Sequence, residues 1–135
     1  GKAEVKREGS DITLVTWSKN LFLTLEVAEA LSQEGISAEV LDLRTLRPLD
    51  KEALLNSVAK THRALIIQEQ HSISSYGAYL SHLITSEIFD ELDAPVGLIS
   101  SLEVPMPYAK SLESVVLPSK ERCLEEARKV LQGCL

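Results

Sequence analysis

Two arginines and two carboxylates occur together in the stretch DLRTLRPLD at residues 42–50. Arg44 and Arg47 could bind a phosphate group, because a guanidinium group forms paired hydrogen bonds with phosphate oxygens. They could instead form ion pairs with Asp42 and Asp50 and hold a connection between two structural elements. We expect this structural role: Asp42 ends a strand, both arginines bind neighbouring carboxylates, and Asp50 caps the following helix.

The stretch EQHSISSYG at residues 69–77 contains the other side chains that could form a catalytic site. Glu69, His71 and a serine could belong to a Ser–His–acid hydrolase, but the nucleophile turn such as GxSxG is missing. Serines ahead of a helix usually cap it. The glycine patterns GxGxxG and GxxxxGKS/T, which bind dinucleotides and phosphates, are also missing. The sequence therefore predicts no catalytic and no cofactor-binding residue.

The two cysteines are not expected to form a disulfide. Cys123 and Cys134 are eleven residues apart in one predicted helix, which separates them by about 16 Å. Disulfide-bonded residues have Cα atoms within about 7 Å of each other. No CxxC or Cys/His spacing typical of zinc sites occurs. We therefore expect reduced thiols and no metal site.

The charge of the chain is acidic and unevenly distributed. With 14 Lys and Arg against 20 Asp and Glu, the net charge is −6, which disfavours nucleic acid as a partner. Glu87, Asp90, Glu91 and Asp93 place four carboxylates in seven residues. This cluster is typical of a solvated helix end, but it could also bind a basic partner.

Apolar residues alternate between strand and helix patterns along the chain. No apolar run approaches the roughly 20 residues of a membrane helix, and the N-terminus lacks a signal core, so we expect a soluble intracellular protein. Helices are predicted from a Ser18 cap to Gly35, over 51–59 and 76–90, and after Ser119. The predicted strands are 3–7, 12–16, 38–43, 63–68 and 96–100. This alternation favours a single three-layer α/β/α domain with parallel core strands.

Several stretches resemble a known family. DLRTLRPLD with the preceding GISAEVLDL is similar to the transketolase C-terminal domain superfamily. The segments that narrow the resemblance are GKAEVKREGSDITLVTWS, DAPVGLIS, VPMPYAKSLE and LPSKERCLEEARKVL. Over nearly its whole length the chain resembles the C-terminal domain of β subunits of thiamine-diphosphate-dependent 2-oxoacid dehydrogenases. VPMPYAKSLE favours the pyruvate dehydrogenase branch.

The resemblance implies a fold and a parent enzyme. It implies a mixed five-stranded sheet with one antiparallel edge strand, in a single domain over 1–135 excised from a longer β subunit. The implied parent is an α2β2 oxidoreductase that decarboxylates pyruvate on thiamine diphosphate and passes the acetyl group to a lipoyl arm. Thiamine diphosphate and Mg²⁺ would be bound by other domains. A bacterial cytoplasm or a mitochondrial matrix would be its location.

The resemblance also implies protein partners and a docking site. The implied partners are the α subunit, a second β subunit and the dihydrolipoyl acetyltransferase core, whose subunit-binding domain is basic. Asp93 matches a family segment near the docking surface, and Glu91 and Asp90 are the next candidates. Cys134 and Leu135 could contribute. No nucleic acid or membrane partner is expected.

One stretch departs from the family pattern. Relatives read close to GG-aromatic-GAE after the third core strand, whereas this chain reads Ser74-Ser75-Tyr76-Gly77-Ala78-Tyr79. Two glycines and the acidic residue are missing, which puts contacts between domains at this loop in doubt.

Two other functions remain open from the sequence. The chain could belong to another member of the superfamily, such as transketolase, deoxyxylulose-phosphate synthase, or a branched-chain or acetoin dehydrogenase. It could also be a free-standing module that binds small anions at helix N-termini near Ser18 and Ser75.

Overall fold

The structure is a computed structural model that describes residues 1–70, 76–102 and 120–133. The strands are β1 Glu4–Arg7, β2 Ile12–Thr16, β3 Ala38–Asp42, β4 Ala64–Gln70 and β5 Gly97–Leu102. The helices are α1 Leu21–Gln33, α2 Lys51–Thr61, α3 Tyr76–Ile88 and α4 Lys120–Gln132. Short 3₁₀ helices, Ser18–Asn20 and Phe89–Glu91, precede α1 and follow α3.

The strands form one sheet in the order β1-β3-β2-β4-β5. β1 is antiparallel to β3, with Glu4 opposite Asp42. The other neighbouring strands are parallel. The expected mixed five-stranded sheet with one antiparallel edge strand is confirmed.

The central strands are covered on both faces. All residues of β2 and β3 are buried, and because successive side chains point to opposite faces, both faces need helices. Helices α1 and α4 pack on one face through Val27, Ala28, Leu31, Ala127 and Val130. Helices α2 and α3 pack on the other through Leu54, Val58, Leu80 and Ile84. The predicted three-layer α/β/α architecture is therefore confirmed.

The spacing of Leu21, Leu25, Ala28 and Leu31 predicts one buried stripe on α1, and the observed stripe differs from it in part. Leu21 and Leu25 are half-buried, whereas Thr24 and Val27 are buried. The Thr24 hydroxyl donates a hydrogen bond to the backbone oxygen of Asn20 at 2.7 Å, so its burial leaves that hydroxyl satisfied. A pattern of apolar residues alone does not reveal that a threonine can fill this place.

Helix ends also differ from the predicted bounds. Helix α2 continues to Thr61 and ends at His62, which has a φ of 66°. Helix α3 ends at Ile88, and the next three residues form a 3₁₀ helix instead of continuing it. Gly35 has a φ of 80°, as predicted for the end of α1. Among the described residues, no helix is long and apolar enough to cross a membrane.

Candidate docking surface and strand connection

The two groups of candidate residues lie at opposite ends of the sheet. The connection 43–50 follows β3, and the Leu43 N–H donates to the Thr16 oxygen at 2.9 Å, at the carboxyl end of the parallel strands. The acidic stretch precedes β5, and the Asp93 N–H donates to the His62 oxygen at 2.8 Å, at the amino end. Strands of this length separate the two ends by roughly 17–20 Å. The two groups therefore do not form one site.

Asp42 and Arg44 form the first part of the connection. An Asp42 carboxylate oxygen accepts the Arg44 N–H at 2.9 Å, and Arg44 has a φ of 63°. Aspartate side chains commonly stabilise such turns by binding a backbone N–H two residues on. The Arg44 guanidinium lies 3.6 Å from a Glu4 carboxylate oxygen on β1. It therefore pairs with a different strand, and not with Asp42 or Asp50.

Asp50 joins helix α2 to the chain before β1. One carboxylate oxygen accepts the Ala53 N–H at 3.1 Å and caps α2. The other accepts the Ala3 N–H at 2.9 Å. The hydrogen bond from Ala3, followed by that from Ala53, lowers the pKa of Asp50. Its two oxygens thus fasten two segments that are distant in sequence.

Arg47 has no ion-pair partner among the described residues. The expected pairing of Arg47 with Asp42 or Asp50 is therefore not observed. The turn is held instead by Tyr76, whose hydroxyl donates to the Leu46 oxygen at 3.0 Å. Burial raises the pKa of Tyr76. Trp17 packs edge-on against the same ring, with centroids 5.8 Å apart. The connection is therefore held by an aromatic pair as well as by carboxylates.

The candidate docking residues are all exposed. Asp90 and Glu91 belong to the 3₁₀ helix Phe89–Glu91, and Asp93 follows it. The fourth carboxylate of the cluster, Glu87 on α3, lies 3.3 Å from the Lys51 ammonium group.

The turn between α2 and β4 holds two of these acidic residues. His62 Nδ1–H donates to the Glu91 backbone oxygen at 2.7 Å, and the same nitrogen lies 3.8 Å from the Glu91 carboxylate. An Arg63 guanidinium nitrogen lies 3.8 Å from an Asp93 carboxylate oxygen. Asp90 forms no hydrogen bond or ion pair with the residues the structure describes, so its charge is available to another molecule.

A buried carboxylate in β3 was not singled out from the sequence. Glu39 is 1% exposed and accepts hydrogen bonds from Ser57 Oγ at 2.7 Å and the Gly9 N–H at 3.1 Å. Lys60 forms an ion pair with it. The signal is a charged residue between the apolar Ala38 and Val40, inside the strand AEVLD. The contacts indicate a structural role, because every polar partner comes from the fold itself.

The described residues do not fit thiamine diphosphate or its Mg²⁺. No group of three or more His, Cys, Asp or Glu that could hold a metal occurs among them. The two buried carboxylates, Glu39 and Asp42, are already bound by Lys60 and by the Arg44 N–H.

Several predicted features lie outside the described residues. These are the Ser18 side chain, the Glu69 side chain, His71, Ser74, Ser75, VPMPYAKSLE, Ser119, Cys134 and Leu135.

Cys123 is a buried free thiol, and burial raises its pKa to about 11, which makes it a poor nucleophile.

Packing requires the glycine at position 77, in the stretch that differs from the family pattern. A Cβ on Gly77 would lie 2.6 Å from Gln68 Oε1 and 2.7 Å from a methyl carbon of Leu98. The Gly77 N–H donates to Gln68 Oε1 at 2.9 Å. This close approach of α3 to β4 and β5 explains why a glycine stands there.

Comparisons with known proteins agree with this architecture. Residues 1–123 match the family described as transketolase, C-terminal domain. The chain is 43% identical over 132 residues to the mitochondrial pyruvate dehydrogenase E1 component subunit beta of Dictyostelium discoideum, covering 98% of this chain and 37% of that protein. It is 41% identical over 130 residues to the corresponding subunit of Rickettsia felis, covering 96% and 40%. The chain thus spans about two fifths of these relatives.

Solved structures with similar folds include a split gene transketolase described as an inactive beta4 tetramer. Its TM-score is 0.80 at 25% identity, covering 99% of this chain and 42% of that chain. A 2-oxoglutarate:ferredoxin oxidoreductase from Magnetococcus marinus has a TM-score of 0.65 at 16% identity, covering 98% and 20%, and shows likeness of fold alone. The match of residues 1–123 shows that the chain belongs to the transketolase C-terminal domain family, and the sequence matches show that it is similar to part of pyruvate dehydrogenase E1 β subunits.

Proposed function

We propose that this chain is the C-terminal assembly and docking domain of a pyruvate dehydrogenase β subunit. The parent enzyme would oxidatively decarboxylate pyruvate and acetylate a lipoyl arm. The observation that carries this proposal is the similarity of 96–98% of the chain to β subunits of pyruvate dehydrogenase. These names favour pyruvate over the substrates of branched-chain and acetoin dehydrogenases. The partial coverage of the relatives supports 1–135 as one domain of a longer subunit.

The chemistry would take place outside this domain. Thiamine diphosphate and Mg²⁺ would be bound by other domains of the parent enzyme. The buried Glu39 supports this division, because its hydrogen bonds and its ion pair are all made to groups of the fold itself. The domain would then act by holding subunits together and by presenting a surface to a partner.

The proposed partners are the α subunit, a second β subunit and the dihydrolipoyl acetyltransferase core. The acidic residues Asp93, Glu91 and Asp90 would bind basic residues of the core, because complementary charges speed association and select the partner. Their exposure at the amino end of the sheet supports this role. At the carboxyl end, Asp42, Arg44, Arg47 and Asp50 would form a structural connection.

The proposed cellular location of the parent enzyme is based on the same relatives. The relatives include mitochondrial and bacterial subunits. A mitochondrial matrix or a bacterial cytoplasm is the corresponding proposal for this chain.

Removal of the domain tests the assembly role. A β subunit lacking residues 1–135 of this chain should fail to form the α2β2 enzyme in analytical ultracentrifugation, whereas the subunit carrying them should assemble. The isolated 135-residue chain should bind no thiamine diphosphate in calorimetry. Normal assembly without the domain, or micromolar binding of the cofactor by the isolated chain, would refute the proposal.

A further inference from the structure

A groove of about 450 Å³ opens beside the acidic stretch. Helix α3, the 3₁₀ helix that follows it and the segment leading into β5 form its walls. The lining includes Thr85, Phe89, Leu92, Asp93, Pro95 and Val96. Phe89 is 68% exposed, so a large apolar ring stands open to solvent at this groove. An open apolar surface bordered by polar groups is typical of a binding site for another protein.

The acidic side of the groove is held in place by the rest of the fold. Asp93 lines the groove, and its N–H and carboxylate are bound by His62 and Arg63. Arg63 also donates to the Asp11 oxygen at 3.3 Å, so it connects the start of β2 to the groove. Surfaces that are ordered before binding lose less conformational entropy when the partner arrives. The groove is therefore ordered before a partner binds, with an apolar wall and one acidic residue, Asp93, that is fixed by the fold.

We propose that this groove receives a large apolar side chain from a basic segment of the partner. Lysines or arginines next to that side chain would bind Asp90 and Asp93. The inference rests on the proposed docking function and adds an apolar anchor to a contact based on charge.

Charge complementarity identifies the kind of segment that fits. The Asp90 carboxylate has no ion-pair partner among the described residues, and the chain as a whole carries a net charge of −6. A purely apolar segment would gain no attraction from Asp90 and Asp93, and an acidic segment would be repelled by them. A segment with cations on both sides of a leucine or an aromatic residue satisfies both parts of the surface.

Two substitutions test the groove, one on α3 and one on the 3₁₀ helix that follows it. Phe89→Ser removes the exposed ring, and Thr85→Trp fills the groove from α3. Each would be placed in the full-length β subunit assembled with its α subunit, and binding to the acetyltransferase core of the same organism would be measured by surface plasmon resonance. We expect each to weaken the affinity about tenfold, since central apolar anchors dominate interface energetics.

Salt dependence separates the anchor from the charges. The loss of binding affinity caused by Phe89→Ser should be the same at low and high salt. Asp90→Asn should weaken binding mainly at low salt, because salt screens exposed charges. Phe22→Ser is the matched control, because Phe22 is 78% exposed on α1, away from the groove, and should leave affinity unchanged. Melting temperatures of all variants show whether the fold is preserved.

The outcomes distinguish this inference from the docking function itself. If the core binds both Phe89→Ser and Thr85→Trp with normal affinity, the groove does not bind the apolar side chain. The proposed docking function of the domain would not be affected by that result. If Phe89→Ser weakens binding no more than Phe22→Ser, the inference is likewise overturned. If the unmodified enzyme does not bind the core at all, the proposed docking function fails as well.

Discussion

Lys60 forms an ion pair with Glu39, whose side chain is 2% exposed and lies within β3. The Lys60 side chain is itself 47% exposed, so the pair joins the interior of the sheet to the surface of α2. A buried carboxylate requires such partners, because water cannot solvate its charge. Ser57 and the Gly9 N–H complete its hydrogen bonds.

Replacement of Lys60 tests this buried pair. Lys60→Met should lower the free energy of unfolding by about 1–3 kcal/mol, because it removes the cation that compensates Glu39. Lys6→Met is the matched control, since Lys6 pairs with the exposed Glu4 at 2.9 Å, and should cost less than about 1 kcal/mol. Urea denaturation of both variants gives the two values. Equal losses would contradict the role assigned to Lys60.

Removal of the Asp50 carboxylate should loosen two segments together. Asp50→Ala should destabilise the domain by about 1 kcal/mol or more, because α2 loses its cap and the Ala3 N–H loses its acceptor. Glu52→Ala, at an exposed position in the first turn of the same helix, provides the comparison. A loss no larger than that of Glu52→Ala would argue against the capping role.

The contribution of Asp50 should also depend on pH. Its pKa is lowered in the folded state, so its stabilising effect is present above the unfolded value of about 4 and is lost as pH falls through the folded pKa. The difference in unfolding free energy between the unmodified chain and Asp50→Asn should therefore be constant from about pH 5 to 7 and shrink below about pH 4. A difference that grows on acidification would contradict this sign.

The left-handed backbone at Arg44 makes this position sensitive to the shape of its side chain. Arg44→Val should lower the unfolding free energy by about 1–3 kcal/mol, because a β-branched residue is strained at positive φ. Arg44→Gly should stay within about 1 kcal/mol of the unmodified chain, since it loses only an exposed ion pair with Glu4 and relieves backbone strain. Thermal melting distinguishes the two. A large fall in turnover of the assembled enzyme, with melting and assembly unchanged, would reject the structural role of Arg44.

Gly77 should not tolerate a larger residue. Gly77→Ala would place a methyl group 2.6 Å from Gln68 Oε1. Because the Gln68 side chain is buried and hydrogen-bonded to the Gly77 N–H and to Ser100, its displacement should cost about 1 kcal/mol. Ala78→Ser, at the next and exposed position, should be nearly neutral. Chemical denaturation compares the two. Equal stability of both variants would contradict the close packing at Gly77.

The sequence predicts the layers of this fold better than its contacts. The β-branched and largely apolar run of β2 indicates a strand that is covered on both faces, and the structure buries all residues of β2 and of its neighbour β3. The burial of Thr24 could not be predicted, because it depends on a hydrogen bond to Asn20. Local patterns report which surfaces are apolar, but they do not report how polar groups are satisfied after folding.

The contacts of the candidate residues also could not be predicted from local sequence patterns. The acidic cluster is visible in the sequence, but its attachment to His62 and Arg63 depends on the meeting of two turns at the amino end of the sheet. The pairing of Arg44 with Glu4 depends on the antiparallel placement of β1 beside β3. Contacts between residues distant in the chain follow from topology, which a local pattern does not contain.

The division between docking and chemistry can be measured in one enzyme preparation. Asp90→Asn combined with Asp93→Asn would be introduced into the full-length β subunit of the α2β2 enzyme, with Glu26→Gln on the exposed side of α1 as control. Pyruvate decarboxylation with an artificial electron acceptor and acetyl transfer within the complete complex would be compared. We expect decarboxylation to remain unchanged while acetyl transfer in the complex falls severalfold or more. A loss of decarboxylation by enzyme that is fully assembled would contradict the account.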